Sequence, residues 1–316
     1  MSEPSSASPG TTPLWVVTGP TASGKTSLAL ELAAQTGREI ISMDSMAVYQ
    51  RMDIGTAKPT AAERQRVPHH LVDLLAPDET FDTAQWCRRA QDKLDELHGA
   101  GREALFVGGT SLYLMAFFKG MLDVPEADEE LRRKLEQREA DAPGVLHEEL
   151  CVRDPEAATR IHRKDTRRLV RALEVLELTG KTISSLQDQF ERAGWLRDCR
   201  VVWITRSRED LHDRVKARTE QMLDEGLIEE TRAIRDDCGF SRTAGAAIGY
   251  AECLDHLRGR WKDRTELRNR IRRNTHKLIR RQTTWLRRLP EILRMPPTEG
   301  VAGLRARLEG AEARPR

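Results

Sequence analysis

The sequence has few of the features that place a protein outside the cell or in a membrane. Its five cysteines are far apart, and none forms a CxxC pair, so neither a disulfide framework nor a zinc ribbon is indicated. No apolar run approaches the roughly 18 residues of a membrane span. The first thirteen residues lack Lys, Arg and an apolar stretch, which argues against a secretory signal or a transit peptide. We expect a soluble cytoplasmic protein.

An excess of one charge is also missing. The 316 residues contain 52 Lys and Arg against 50 Asp and Glu, a formal charge of +2. Any nucleic-acid signal must therefore be local. The chain is long enough to bury a sizeable core in one large domain or two smaller ones.

Short β-rich runs alternate with helical patterns in the first third of the chain, from PLWVVTG at 13–19 to EALFVGG at 103–109. This alternation predicts the α/β class, a parallel sheet flanked by helices. Asp82, Asp165 and Ser207 have the positions of helix N-caps. A long helix is expected from about Thr265 to Leu289.

The segment GPTASGKT matches the P-loop pattern in full and lies between a strand and a helix. In such a loop, backbone N–H groups and the helix dipole bind phosphate oxygens. The lysine adds a charge, and the threonine hydroxyl can hold Mg²⁺. The predicted phosphate-binding residues are Gly19, Pro20, Thr21, Ala22, Ser23, Gly24, Lys25 and Thr26.

The carboxylate that usually completes such a magnesium site is missing. Gly108 and Gly109 stand where nucleotide hydrolases and kinases place an Asp at the end of a later strand. Together with the lack of an NKxD motif, this weakens an ATPase or GTPase interpretation. Asp44 follows the second predicted strand and should lie near the loop. It could complete a Mg²⁺ site or act as a general base; an equally good alternative is a helix cap.

Basic residues are concentrated in two segments. Residues 264–288 carry ten Lys and Arg against one acid, a formal +9, and residues 160–181 carry seven against three, a formal +4. Such stripes indicate a polyanion partner, although a single basic helix is usually a solvated face. On another predicted helix, Arg214 and Arg218 could cover the phosphate site or pair with Asp210 and Asp213, and the spacing alone favours pairing.

Charged, helix-favouring sequence without a convincing strand fills residues 123–196, and RVVWITR then resumes the α/β pattern. We predict a P-loop NTPase-like core over 13–122 and 197–294 that includes the C-terminal basic helices. An all-helical insertion would occupy 123–196. A disordered tip is expected over 1–12, and a weakly ordered tail over 295–316.

Eight motifs of the chain resemble those of the tRNA dimethylallyltransferases, also called tRNA isopentenyltransferases, in their order and spacing. The resemblance covers roughly residues 14 to 290, and no zinc-finger pattern follows Pro290, as in the shorter bacterial type. The motifs are GPTASGKTSLALELA, IISMDSMAVYQRMDIGTAKP, VPHHLVD, VGGTSLYL, IHRKDTRRLVRALEV, GLIEE, AIGY and RQTTWLRR.

The resemblance implies transfer of a dimethylallyl group from dimethylallyl diphosphate to N6 of the adenosine at tRNA position 37. The phosphate loop would then hold a prenyl diphosphate with Mg²⁺ and bind no ATP. Asp44 would take the proton from the adenine amino group, and Arg218 would close on the diphosphate beside Lys25 and Thr26. The target base would flip into a channel, with the donor entering from the other side. The enzyme would act as a monomer.

The resemblance also implies a set of residues that meet the anticodon stem-loop. They are Asp44, Ser45, Met46, Ala47, Thr110, Arg132, Arg167, Arg168, Leu169, Val170, Arg171, Ile248, Gly249, Tyr250 and Arg281. Ala246 and Ala251 depart from the pattern, because family members usually carry polar or basic residues there. Two alternatives stay open: a P-loop kinase of a small metabolite, and a non-catalytic P-loop RNA-binding protein.

Overall fold

A computed structural model describes residues 13–120, 125, 127–192 and 195–310. The expected tip over residues 1–12 lies outside the described residues. The chain divides into two compact units. The first comprises the residues up to Leu114 and those from Arg197 onward, and the second comprises Met115–Leu196.

A six-stranded parallel sheet forms the centre of the first unit, with strand order β3-β2-β4-β1-β5-β6. This sheet confirms the predicted α/β class. Thr18 at the end of β1 is in register with Gly108 of β4 and Trp203 of β5, so the loops that follow these strands share one edge. The strands are β1 (Leu14–Thr18), β2 (Glu39–Ser42), β3 (His69–His70), β4 (Ala104–Gly108), β5 (Cys199–Ile204) and β6 (Leu293–Met295).

Helices flank this sheet, and several begin at the predicted caps. Asp82 accepts a hydrogen bond from the backbone N–H of Gln85, and Ser207 accepts one from that of Asp210. The helices before the second unit are α1 (Lys25–Thr36), α2 (Ala61–Arg66), α3 (Thr83–Gly99) and α4 (Ser111–Phe118), which crosses the boundary. Those after it are α10 (Arg208–Asp224), α11 (Leu227–Asp237), α12 (Tyr250–Leu257), α13 (Arg264–Leu286) and α14 (Gly300–Glu309).

The chain after Met295 is ordered, and the expectation of a weakly ordered tail is wrong for residues 295–310. Met295, Leu304 and Leu308 are fully buried in the core beside the sheet, against Trp15 and Ile204 among others. Leu304 and Leu308 are four apart, so they share one face of α14. The Pro, Gly, Ala and Arg composition of the segment concealed this short apolar stripe.

The described residues of the second unit form helices joined by turns and contain no strand, as the sequence predicts for the insertion. It starts at Met115, inside α4, instead of at residue 123. Its core includes Leu135, Leu150, Leu169 and Leu173. The helices are α5 (Glu129–Asp141), α6 (Val145–Arg153), α7 (Pro155–Arg160), α8 (Thr166–Thr179) and α9 (Ile183–Arg192). Among the described residues of both units, no helix is long and apolar enough to cross a bilayer.

Candidate active site

A cavity of about 470 Å³ opens at the carboxyl edge of the sheet, within the first unit. The phosphate loop, the segment after β2, the end of β4 and the facing sides of α10 and α13 all contribute to its wall. The lining side chains that bear on function are Thr21, Lys25, Thr26, Asp44, Thr110, Arg218, Arg281 and Gln282.

The phosphate loop has the backbone that its glycines permit. A Cβ at Gly19 would lie 2.8 Å from the carbonyl oxygen of Ile204, so the loop could not approach β5 with a larger residue. Gly24, with φ 86°, precedes the first turn of α1. Ala22 also adopts a positive φ of 66°, which is unfavourable for a residue with a Cβ. The loop is therefore held in a strained form by contacts from outside it.

Three arginines that follow β5 or belong to α10 make those contacts. Arg206 donates to the Ser23 carbonyl at 2.6 Å, and Arg214 donates to the Ala22 carbonyl at 2.7 Å. Arg218 donates to the Thr21 hydroxyl at 3.3 Å. The pairing of Arg214 and Arg218 with acids of their own helix, favoured by spacing alone, is wrong.

Instead, Arg206, which precedes α10, forms the ion pair with Asp210 of that helix. Sequence reasoning missed Arg206. The available signal was a basic residue directly after an apolar strand that ends near the loop.

Two half-buried cations face the cavity. Desolvation, opposed by the charge of Asp44 and assisted by that of Arg218, lowers the pKa of Lys25 to about 8. Burial likewise lowers the pKa of Arg218, again opposed by Asp44. Both groups therefore gain from an anion that enters the cavity, because it would compensate for their lost hydration.

Asp44 acts both as a cap and as a wall of the cavity. Its Oδ1 accepts hydrogen bonds from the backbone N–H of Met46 at 2.8 Å and of Ala47 at 3.4 Å. Within the described residues, its Oδ2 accepts none. Beside it, the Thr110 hydroxyl accepts from the Ser45 N–H at 3.1 Å. One carboxylate oxygen is thus fixed by the backbone, and the other is available to a substrate.

Gln282 of α13 occupies the place that a side chain at the end of β4 would need. A Cβ at Gly109 would lie 2.7 Å from Gln282 Nε2. This Nε2 donates to the Gly109 carbonyl at 2.8 Å, and Oε1 accepts from the Thr21 N–H at 2.9 Å. Gln282 was not among the predicted site residues, although it lies in the motif RQTTWLRR.

Three of the predicted RNA-contacting residues in the first unit are buried, namely Ala47, Gly249 and Tyr250. Tyr250 is fully buried, and its hydroxyl donates to Glu230 at 2.5 Å and accepts from the Gly55 N–H at 3.1 Å. Its side chain therefore holds the segment around Gly55 and is closed to a partner. Ile248 lines the cavity, and Gly249, with φ 99°, precedes α12.

Another family motif has a structural role. Lys58 of the DIGTAKP segment is buried, with its ammonium 2.6 Å from Asp53, 2.5 Å from Asp73 and 2.7 Å from the Tyr49 carbonyl. Both acids and the carbonyl compensate for the desolvation of one cation. The network therefore fixes one wall of the cavity.

The second unit contains six of the predicted contact residues, and two of them are buried. Leu169 and Val170 lie in its core, so their side chains cannot reach a partner and the expectation is wrong for them. Of the predicted contact residues on α8, Arg167 and Arg168 are exposed.

Arg132 and Arg171 both pair with the buried Glu174, at 2.8 and 2.5 Å. Both arginine side chains stay about a third exposed, so their contact with RNA stays a prediction. Their charges serve the fold of the unit, because Glu174 would otherwise be an uncompensated buried anion.

The basic stripe on α13 separates into two halves. Toward its start, Arg264 pairs with Asp224, Arg268 and Arg272 pair with Glu220, and Arg270 lies near Glu266. Toward and just beyond its end, six basic residues form no ion pair with any described residue. They are Arg273, Lys277, Arg280, Arg281, Arg287 and Arg288.

The fold and the site define a P-loop protein with a phosphate cradle and a carboxylate on one cavity. The family model for IPP transferase matches residues 47–289. The chain is 45% identical over 287 residues to the tRNA dimethylallyltransferase of Alkalilimnicola ehrlichii, covering 89% of each chain. It is 42% identical to that of Geobacter metallireducens over 89% of this chain and 92% of the relative.

Solved structures agree with these relatives. The full-length tRNA isopentenylpyrophosphate transferase of Bacillus halodurans aligns with a TM-score of 0.68 at 34% identity, over 95% of this chain and 98% of that one. A eukaryotic dimethylallyltransferase acting on tRNA aligns with a TM-score of 0.72 at 26% identity, over 87% and 70%. The chain therefore belongs to the IPP transferase family, which confirms the resemblance seen in its motifs.

Proposed function

We propose that the chain transfers a dimethylallyl group from dimethylallyl diphosphate to N6 of adenosine at tRNA position 37, giving N6-dimethylallyladenosine and diphosphate. The observation that supports the proposal most directly is a single cavity with phosphate-binding groups on one side and a carboxylate beside them. A phosphate loop with two half-buried cations, Lys25 and Arg218, lies on one side, and Asp44 lies beside it with a free oxygen. The names of the relatives support this choice over a kinase.

The donor half of the site neutralises a leaving group. The C–O bond between the allylic carbon and the diphosphate breaks, and its electron pair leaves on the diphosphate oxygen. Lys25, Arg218 and the loop N–H groups stabilise that developing charge, which is electrostatic catalysis by preorganised groups. The Thr21 hydroxyl, which Arg218 already contacts, lies at the same point.

Mg²⁺ fits this half of the site when it is bound chiefly through the substrate. Among the described residues, no group of three or more His, Cys, Asp and Glu could form a metal cage. Mg²⁺ commonly keeps several waters and binds through substrate phosphates, and the Thr26 hydroxyl lines the cavity as a protein ligand. When bound, the ion would supply further neutralisation of the leaving diphosphate.

The acceptor half removes a proton. As the adenine N6 forms its new bond to the allylic carbon, it must lose a proton, and Asp44 Oδ2 is the acceptor that we propose. Hydrogen bonds from Met46 and Ala47 hold the other oxygen in place. The base must leave its stack to reach the cavity, and Thr110 beside Asp44 would contact it.

The RNA-binding surface in this proposal is smaller than the two basic stripes. It consists of the six unpaired basic residues toward the end of α13, together with Arg167 and Arg168 of α8. The proposal includes a monomer, because one chain supplies every wall of the cavity. It also includes a cytoplasmic location, where cysteines ordinarily stay reduced.

Incubation with labelled dimethylallyl diphosphate or labelled ATP, with and without unmodified tRNA, tests the proposal. Prenyl label on tRNA that depends on both substrates supports it. Transfer of phosphate from ATP to a small acceptor would support the kinase alternative. RNA binding without transfer of either label would support the non-catalytic RNA-binding alternative. Asp44→Asn is the matched control, which should bind tRNA but transfer the prenyl group far more slowly.

A further inference from the structure

The peptide bond between Pro20 and Thr21 is held at both of its polar ends. Its N–H donates to Gln282 Oε1 at 2.9 Å, and its carbonyl oxygen lies 3.5 Å from Lys25 Nζ. The orientation of this one peptide therefore determines both where the loop begins its turn and where the ammonium of Lys25 is held.

Space for the Gln282 amide depends on Gly109. A Cβ at this position would lie 2.7 Å from Gln282 Nε2 and 3.4 Å from Lys25 Nζ. The Gly109 carbonyl also accepts the hydrogen bond from Nε2. A neutral amide from α13 thus takes the position at the strand end where other P-loop enzymes place a carboxylate.

Gln282 also belongs to the helix that carries the unpaired basic residues. Arg281 precedes it and lines the same cavity. Ile279, Leu211 and Val215 form a small buried cluster against which Ala22 packs. The phosphate loop therefore contacts α13 through one hydrogen-bonded side chain and one apolar contact, and any shift of α13 acts on the loop.

We propose that Gln282 is a positioning residue that orients the Pro20–Thr21 peptide and couples occupancy of α13 by RNA to the affinity for the diphosphate. The identity of the RNA and of the donor rests on the proposed function. The role of Gln282 in orienting the loop does not rest on the proposed function, because Gln282 acts on the diphosphate site itself. The amide already bonds the loop in the protein alone, and RNA bound to α13 would hold it there, so RNA and diphosphate would bind more tightly together than separately.

The test compares Gln282→Leu, which keeps the size and loses both hydrogen bonds, with Thr284→Ala as the control. Thr284 lies two residues further along α13, is exposed, and makes no contact with the loop. Calorimetry measures the affinity for inorganic pyrophosphate with and without tRNA. Steady-state assays give KM for the donor and kcat.

Gln282→Leu is expected to weaken pyrophosphate binding by about 5- to 30-fold, as the loss of two hydrogen bonds predicts. KM for the donor should rise more than kcat falls, and the gain in affinity caused by tRNA should disappear. Gly109→Ala, whose methyl displaces the amide and also lies 3.1 Å from the Gly19 carbonyl oxygen and 3.4 Å from Lys25 Nζ, should weaken pyrophosphate binding at least as much. Thr284→Ala should behave as the wild type.

Pyrophosphate affinity in Gln282→Leu equal to that in Thr284→Ala would overturn the positioning role. A tRNA effect on that affinity that persists in both Gln282→Leu and Gly109→Ala would overturn the coupling. Absence of prenyl transfer by the wild type would refute the proposed function, yet the pyrophosphate measurement without RNA would still decide the positioning role.

Discussion

Raising the pH above 8 is expected to weaken diphosphate binding through Lys25. Burial lowers the pKa of this ammonium to about 8 in the protein without donor, so the loop loses its charge above that pH. The donor does not titrate in this range, since phosphate esters have a second pKa of about 6. The fall in affinity therefore reports on the lysine.

The size of the effect follows from the pKa. At pH 7 about nine in ten molecules carry the charged lysine, and at pH 9 about one in ten does, because each unit beyond the pKa changes the ratio tenfold. The apparent affinity should fall about tenfold between these pH values. A bound diphosphate raises the pKa of its cationic partner, so binding at pH 9 should take up close to one proton.

Calorimetry with dimethylallyl diphosphate in the absence of tRNA, at pH 7, 8 and 9 and constant free Mg²⁺, measures both quantities. Two buffers with different ionisation enthalpies at each pH give the number of protons taken up. Lys25→Arg is the control, because a guanidinium stays charged throughout. An affinity that is constant from pH 7 to 9 in the wild type, without proton uptake, would refute the reasoning.

The same pKa has an opposite consequence for stability. The pKa of Lys25 is lower in the folded protein than its ordinary value of 10.5, so the charged lysine destabilises the fold below pH 8. This penalty disappears as the pH rises to 10.5. At pH 7 it amounts to about 3 kcal/mol at 1.36 kcal/mol per unit. Lys25→Met should therefore increase the free energy of unfolding in urea at pH 7, and a decrease would contradict the burial of the charge.

Three further outcomes are expected. Asp44→Asn should lower the single-turnover rate by about 10²-fold or more, as for loss of a general base, with little change in tRNA affinity by filter binding; an unchanged rate would exclude Asp44 as the base. Tyr250→Phe should destabilise the fold by about 1–3 kcal/mol in urea denaturation, because Glu230 and the Gly55 N–H lose a buried partner, and tRNA affinity should stay the same if the tyrosine is structural. Lys277→Gln should reduce the salt dependence of tRNA binding by about one unit of slope, whereas Arg268→Gln, which removes an already paired cation, should leave the slope unchanged.

Local sequence patterns were sufficient to predict the phosphate loop and Asp44 at the centre of the site. A strand, a glycine-rich turn and a helix follow one another within residues 14–36, so their geometry depends on neighbours in the chain. Asp44 lies directly after the next strand, and parallel strands bring such positions to one edge. These features needed no knowledge of distant contacts.

Contacts between distant segments could not be predicted in this way. Thr21 and Gln282 are 261 residues apart, and Ser23 and Arg206 are 183 apart. The residue pattern of one segment does not indicate that the other segment will contact it. Burial was equally hidden: Tyr250 and Val170 lie in motifs that the resemblance assigned to RNA, yet tertiary packing encloses both side chains. A motif shared by a family thus marks structural residues as well as contacting ones.

The late position of Gln282 in the chain has a consequence for synthesis. The phosphate loop leaves the ribosome well before α13, β6 and α14, because 261 residues separate Thr21 from Gln282. Until they emerge, the Thr21 N–H lacks its partner and the sheet lacks an edge strand, and such long-range closures are slow to form. A nascent chain therefore carries the complete P-loop motif before its diphosphate site is finished.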